Sequence, residues 1–315
     1  MFRRRRESKS QRAYDLERAA GFLFDRRPFE LRCLDRKPGQ PESTSGSRLF
    51  LTAGYQAPYL LTRLDELHLS QADVPALTVT ADPANCVAVA GSASSDWSLR
   101  FCAQGEGDTE DEARQHLHGI SMVRAGSTVS LTGPPLLRAD STREGRGQLL
   151  VDAPAEGAIV IHASYAAVEI RDVKGPVRVA ATHGRTKILD TTGQVDATAM
   201  VVDFAGTSGR VVLSAEAEIN MKLATVRFDG TLLAWAQRSV RTLVPPGFLT
   251  PFRAIVNQRH DFVCRADFCS RVRHEKKGDL HYFTYAGDNS AAPAAVMHLR
   301  SEQATVVIDT IVPNP

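Results

Sequence analysis

Aromatic residues make up only 7% of this 315-residue chain, and no stretch approaches 18 consecutive apolar residues. The second absence excludes a transmembrane helix, which needs about 20. The basic run Arg3–Arg6 is followed by Glu7-Ser8-Lys9-Ser10-Gln11-Arg12 where a signal peptide would be apolar, so no cleavable signal is expected in the chain. There is no Gly-x-Ser-x-Gly, no phosphate-binding glycine loop and no His-Glu-x-x-His. Charged residues, at 23%, are near the globular average, which excludes wholesale disorder. A chain of this length can bury a sizeable core as one large domain or two ordinary ones.

The net charge of +2 is unevenly spread: residues 1–37 carry 12 Lys+Arg against 6 Asp+Glu, and the remainder 26 against 30. A basic tail ahead of a near-neutral body can touch phosphate, anionic lipid or an acidic partner, but it is most simply a solvated, flexible tail. No aromatics interleave its arginines as a base-stacking platform would require, so no specific nucleic-acid partner is expected.

Cysteine is sparse, at five residues: Cys33, Cys86, Cys102, Cys264 and Cys269. Cys86 and Cys102 end two alternating runs and would face each other if these formed a hairpin turning near Ser94. Cys264 and Cys269 flank a four-residue turn and could also meet. Two pairs and one odd cysteine would suit an oxidising compartment. Without an export signal, reduced and buried thiols in a cytoplasmic protein are the expectation, with the cell envelope as the alternative.

Residues 1–47 read as tail and linker, ending in Lys37-Pro38-Gly39-Gln40-Pro41-Glu42-Ser43-Thr44-Ser45-Gly46-Ser47. A β-rich segment is expected over 48–148, with strands at 49–53, 76–80, 86–90, 97–102, 120–123 and 128–132. One helix, 109–118, interrupts it. Thr109 is its cap, Glu112 stands at capping-box spacing, Ala113 and Leu117 share one face, and Gly119 ends it.

From about residue 149 the chain repeats. Gly157, Gly175 and Gly193 are spaced 18 apart, and Gly209 and Gly230 continue the pattern at 16 and 21. Each is followed by apolar residues at +2 and +4, as in Ile159/Ile161, Val177/Val179 and Val195/Ala197, and a second strand lies midway. A strand of five residues and a turn of about four, twice over, make one such unit. The expected fold is therefore all-β: a parallel two-sheeted β-solenoid of roughly 18-residue coils over 149–315, with strands near 158–162, 167–171, 176–180, 186–190 and 194–198 and an irregular C-terminal part. Stacking would pair each strand with its counterpart 18 residues on, placing Glu169 beside Lys187 and Arg178 beside Asp196. Asp172 and Asp190 fall in matching turns ahead of Gly175 and Gly193, where a positive φ is expected of the glycines.

These residues resemble the bacterial putative-adhesin β-strand-repeat family, often described only as a domain of unknown function. The resemblance rests on Glu112-Ala113-Arg114-Gln115-His116-Leu117 leading into Ile120–Val123, on the Gly-x-apolar-x-apolar units from Gly157 to Gly209, and on a closing strand pair, Val296–Leu299 and Ala304–Asp309. It spans roughly residues 75–315 and implies a β-solenoid with no catalytic residues to carry over. The chain departs from the family in 236–295, with Pro245-Pro246 and a charged Arg271–Lys277 stretch, and in lacking the membrane segment or signal often found there.

Other constellations are weak. His260, Cys264, Cys269 and His274 are of zinc-ligand type, but their spacing matches no common zinc motif. His116 and His118 point about 200° apart on a helix and cannot share a metal; helix capping is the simpler role. Asp172 and Asp190 are explained by turns. No catalytic, cofactor-binding or metal-binding residue is assigned and no cofactor is expected. The leading function is a non-enzymatic, adhesin-like interaction or scaffold protein with an unknown protein or surface glycan as partner and an open oligomeric state. The alternatives are a carbohydrate-active β-helix enzyme and a cytoplasmic self-assembling scaffold resembling bactofilins.

Overall fold

The computed structural model of the chain describes residues 57–82, 84–133, 146–287, 297–303 and 305–311, together with positions 29, 31, 33–35, 37 and 38. Among the described residues the protein is predominantly β, with 20 strands, one α-helix (Glu110–His118) and one short 3-10 helix (Asp267–Arg271). The strand expected at 49–53 and most of the tail lie outside the described residues.

The strand pairings fall into two series. The first runs in space from Ser121–Ala125 through Thr128–Thr132, Ala76–Thr80 and Ala158–Ala163 to the opening halves of Val177–Leu189, Gln194–Gly206 and Ser208–Leu223. It continues through Asp229–Ala236, Met297–Ser301, Phe252–Asn257 and Leu280–Tyr285 to Arg273–Lys277. The second series begins with Tyr59–Ser70, Asp96–Gly107, Arg146–Pro154, Ala84–Ser92 and Ala167–Arg171. It then takes the closing halves of the same three long strands, followed by Ser239–Val244, Val306–Thr310 and Phe262–Cys264.

Pairing is parallel through the middle of both series and antiparallel at ends of them, so the sheet is mixed, including within 149–315 where the period predicted a parallel solenoid. Tight turns account for two of the five antiparallel pairs among the described residues. Residues 125–128 and 277–280 are joined by tight connections through Gly126 and Gly278, with φ of 60° and 58°. So short a link can close only an antiparallel pair. In the middle, Val177 lies beside both Ile159 and Val195, in parallel, as the 18-residue spacing requires. The strands expected separately at 176–180 and 186–190 run on as one, Val177–Leu189, whose register shifts between Ala181 and Arg185.

The repeating glycines have a steric cause. A Cβ on Gly175 would lie 2.3 Å from the Gly157 carbonyl oxygen, and one on Gly193 would lie 2.6 Å from that of Gly175 and 2.2 Å from that of Lys174. A Cβ on Gly209 or Gly230 would likewise lie 2.4 or 2.2 Å from the carbonyl oxygen of Gly193 or Gly209. Each turn rests on the one before with no room for a side chain. The positive φ expected at Gly175 and Gly193 falls instead on Asp172 (57°) and Asp190 (53°), a conformation that Asp tolerates better than most residues.

Alternation along the strands builds two apolar columns facing one core. Leu77, Ile159, Val177, Val195, Val211, Leu232, Met297 and Phe252 are stacked in the first series, and each is at most 2% exposed. Each such side chain contributes about 1.5–3 kcal/mol on full burial. The second column holds Val87, Val168, Thr186, Val202, Ile219, Val240 and Val306. Its one polar member, Thr186, is fully buried and its hydroxyl has no hydrogen-bond partner.

The helix seals one end of this core. The Glu112 N–H donates to Thr109 Oγ1 at 3.2 Å, so Thr109 caps as expected, whereas Glu112 Oε2 accepts from the Asp108 N–H at 2.8 Å, one residue before the cap, and the reciprocal half of the capping box does not form. Ala113 is buried because Gly105 and Gly107 of Asp96–Gly107 lack side chains; a Cβ on Gly105 would lie 2.1 Å from the Ala113 carbonyl oxygen. Gly119 closes the helix in a right-handed conformation (φ −71°), so its glycine is not demanded by the backbone.

The cysteines pair differently from the expectation of reduced thiols. Cys33 is joined to Cys102, and Cys264 to Cys269. Cys86 is free and buried, and burial pushes its thiol pKa up to about 12. The hairpin that would have joined Cys86 to Cys102 does not form. Strand Arg146–Pro154 inserts between the two runs, and Gln148 lies opposite both cysteines. Two strand spacings separate them by about 9–10 Å, beyond disulfide reach.

Candidate functional site

The four residues of zinc-ligand type do not converge on a metal. Cys264 and Cys269 are spent on each other, and a disulfide offers no thiolate. His274 lies on the exposed strand Arg273–Lys277 with its Nε2 3.2 Å from Nδ1 of His281, and its ring stacks on Phe283 at 4.6 Å. His260 belongs to the preceding turn, where its N–H donates to the Asn257 carbonyl at 2.9 Å. Among the described residues no group of three or more His, Cys, Asp or Glu is arranged to hold a metal ion.

Asp172 and Asp190 are turn residues joined to the neighbouring coil. Their N–H groups donate to the carbonyls of Leu189 (3.1 Å) and Ala205 (2.9 Å). The His116 ring meets the Glu106 carbonyl at 2.6 Å, fastening helix to strand rather than capping the helix end. A small, open depression beside the helix start is lined by Ala57, Glu106, Gly107, Asp108 and Glu112. Its acids favour the positive end of the helix dipole, and Glu112 is engaged with the Asp108 N–H.

The outer surface has two faces, and they differ. On the second series the outward row reads Glu169, Lys187, Asp203, Asn220 along successive strands. Lys187 Nζ is 3.6 Å from Glu169, the Asn220 amide donates to Asp203 at 3.0 Å, and Arg185 pairs with the other Asp203 oxygen. Only 1% of the Asp203 side chain is exposed, and the charges there are matched among themselves. In the first series Arg178 pairs with Asp196 at 3.7 Å, as the register predicted.

At the far end an aromatic cluster closes the core. Phe248, Phe252, Phe268 and Tyr285 are buried with ring centroids 4.6–5.9 Å apart, Phe262 stacks on Phe283 at 4.3 Å, and the Arg271 guanidinium lies over Tyr285. Behind it, on the outer face, stand Arg253, Arg273, Arg300, His298, Trp235 and Tyr282, of which only Arg273, within the charged Arg271–Lys277 stretch, was noted from the sequence. The available signal was alternation: Phe252-Arg253-Ala254-Ile255-Val256 and Met297-His298-Leu299-Arg300 each send their polar members to one side.

No protein-family model matches the chain, and no curated protein does. Solved structures do resemble it at low identity. A putative cell adhesion protein from Clostridium sporogenes aligns over 79% of this chain and 100% of its own, at 8% identity and a TM-score of 0.33. A putative adhesin from Bacteroides fragilis aligns over 82% and 100%, at 12% identity and a TM-score of 0.26. Another, from Parabacteroides distasonis, aligns over 78% and 97%, at 11% identity and a TM-score of 0.23.

Proposed function

We propose that the protein is a two-sheeted β-solenoid that works as an adhesin-like interaction or scaffold protein outside the cytoplasm, and that it does not catalyse. The observation that carries this reading is the stacked register of Ile159, Val177 and Val195 with its column of glycines. Such a column commits the interior to packing and leaves only outer faces for partners. Antiparallel hairpins at the ends then cap the coils. The chain divides into a basic tail (1–47), a β-rich segment with one helix (48–148) and a repeat region (149–315), with Ala76–Thr80 and Ala84–Ser92 paired onto the repeat.

Two disulfides support an oxidising compartment, and so the envelope in place of the cytoplasm. Among the described residues no helix is long and apolar enough to cross a membrane. End-to-end polymerisation is opposed by the fully exposed edge strand Arg273–Lys277, which carries Arg273, Lys276 and Lys277. Cell fractionation with thiol alkylation before lysis tests the reading. It predicts protein in the envelope or secreted fraction with one alkylated cysteine, Cys86, once the chain is unfolded. A cytoplasmic pool with all five thiols free would contradict it and favour an intracellular scaffold.

A further inference from the structure

We infer that the outer face of the first series at its far end, bearing Arg253, Arg273, Arg300, His298, Trp235 and Tyr282, binds an acidic polysaccharide. The inference rests on the reading as an interaction protein and supplies its site and ligand class. Registers set these residues in two neighbouring rows. One runs Arg273, Thr284, Arg253, His298, Leu233; the other runs Glu275, Tyr282, Ile255, Arg300, Trp235. Their strand neighbours Phe252, Ala254, Met297, Leu299, Leu232 and Ala234 are buried, so both rows face outward. Strands about 4.8 Å apart make this a flat band roughly 20 Å long.

The chemistry of the band is uneven in charge. Arg253, Arg273 and Arg300 are exposed, and among the described residues Arg253 and Arg273 make no ion pair. Glu275, at the margin, is 3.1 Å from Lys277, and Arg300 reaches Glu302 only at 3.5 Å. A guanidinium is a planar fork suited to carboxylate or sulfate, and it carries its charge at every accessible pH. Trp235, Tyr282 and His298 are half-buried in the same rows, and Leu233 is 44% exposed. Rings held in a flat sheet offer apolar surface to the C–H face of a sugar with little ordering cost.

Charge density decides between polymers. A nucleic-acid strand carries one phosphate per about 3.4 Å, whereas this band interleaves its arginines with Thr284, Leu233 and Ile255 and places Arg253 and Arg273 two strands, about 10 Å, apart. That spacing suits a polymer charged once per unit or two.

The test uses the full oxidised chain in affinity electrophoresis against polygalacturonate (carboxylate), dextran sulfate (sulfate), neutral dextran and a poly-dT oligonucleotide. Retardation by at least one acidic glycan is expected, with none by neutral dextran. Arg253→Gln/Arg273→Gln should weaken it about tenfold or more, and Trp235→Ala several-fold, with melting temperatures unchanged. Arg124→Gln, which removes the same charge at the opposite end, should leave it unchanged. Equal retardation by poly-dT, equal loss in Arg124→Gln, or no retardation by either acidic glycan would overturn the inference. The last result, beside an envelope location and oxidised cysteines, would leave the interaction reading standing without this site.

Discussion

The parallel-paired strands around Gly157–Leu223 and the far end around Phe252–Tyr285 obey different constraints. In the former each strand is matched to a neighbour on either side. A Cβ added to the repeating glycines would meet a carbonyl at 2.2–2.6 Å, Val177 lies beside Val195, and Glu169 pairs with Lys187. The far end joins the hairpin Arg273–Lys277/Leu280–Tyr285 to the distant strand Met297–Ser301 through Phe252–Asn257, with aromatic packing in place of a glycine column. It can therefore carry arginines and rings outside without disturbing a repeat. Where stacking dictates sequence, function has little room; where stacking ends, side chains are free for partners.

The sharpest way to break that contrast is to add a methyl group or more to the column. Gly175→Val and Gly193→Val should each cost about 3 kcal/mol or more, because a backbone carbonyl must move. Gly119→Ala, with its nearest neighbour at 3.5 Å and an ordinary φ, should instead gain about 0.5–1 kcal/mol. Chemical denaturation of the three variants checks this; equal effects would show that contact with the coil beneath is not what holds the glycines.

The next effect concerns how the ends are tied down. Replacing both Cys33 and Cys102 by Ser opens a link across 69 residues and should cost about 2–4 kcal/mol. The same change at Cys264 and Cys269, across 5 residues, should cost less. Thermal melts in oxidising buffer rank the two. A larger loss for the short link would mean that the far end depends on its disulfide more than on its aromatic cluster.

Smaller still is the effect inside the coils. Thr186→Val replaces a buried, unpartnered hydroxyl by a methyl of similar shape and should stabilise by about 1 kcal/mol. A loss of stability on denaturation would reveal a partner for that hydroxyl. Cys86, with its pKa at about 12, should resist a thiol-disulfide reagent at pH 8 until the chain unfolds. Fast labelling of the native protein would show that strand Ala84–Ser92 opens.

The same contrast governs what could be read from the sequence. The glycine spacing, the inward Ile159/Val177/Val195 column and the pairs Glu169–Lys187 and Arg178–Asp196 were legible because stacking is a short-period constraint. Sequence gives a glycine's position but not whether φ or close approach requires it: Gly175 and Gly193 answer to close approach alone, whereas Gly209 and Gly230 also have φ of 113° and 131°. The insertion of Arg146–Pro154 between Ala84–Ser92 and Asp96–Gly107 leaves no local trace, so the Cys33–Cys102 pair could not be anticipated. Nor does anything local announce that Met297–Ser301 enters between Asp229–Ala236 and Phe252–Asn257, the step that brings His298 and Arg300 beside Arg253.

Parallel adjacency of the coils is the claim on which the account stands, and cysteine cross-linking measures it directly. Arg178, Asp196 and Val212 occupy one outward row on three successive strands. Under mild oxidant, Arg178→Cys/Asp196→Cys should close to a disulfide in the folded protein. Arg178→Cys/Val212→Cys, two strands apart at about 10 Å, should not. Failure of the first pair to close, or equal closure of both, would contradict the stacked parallel register.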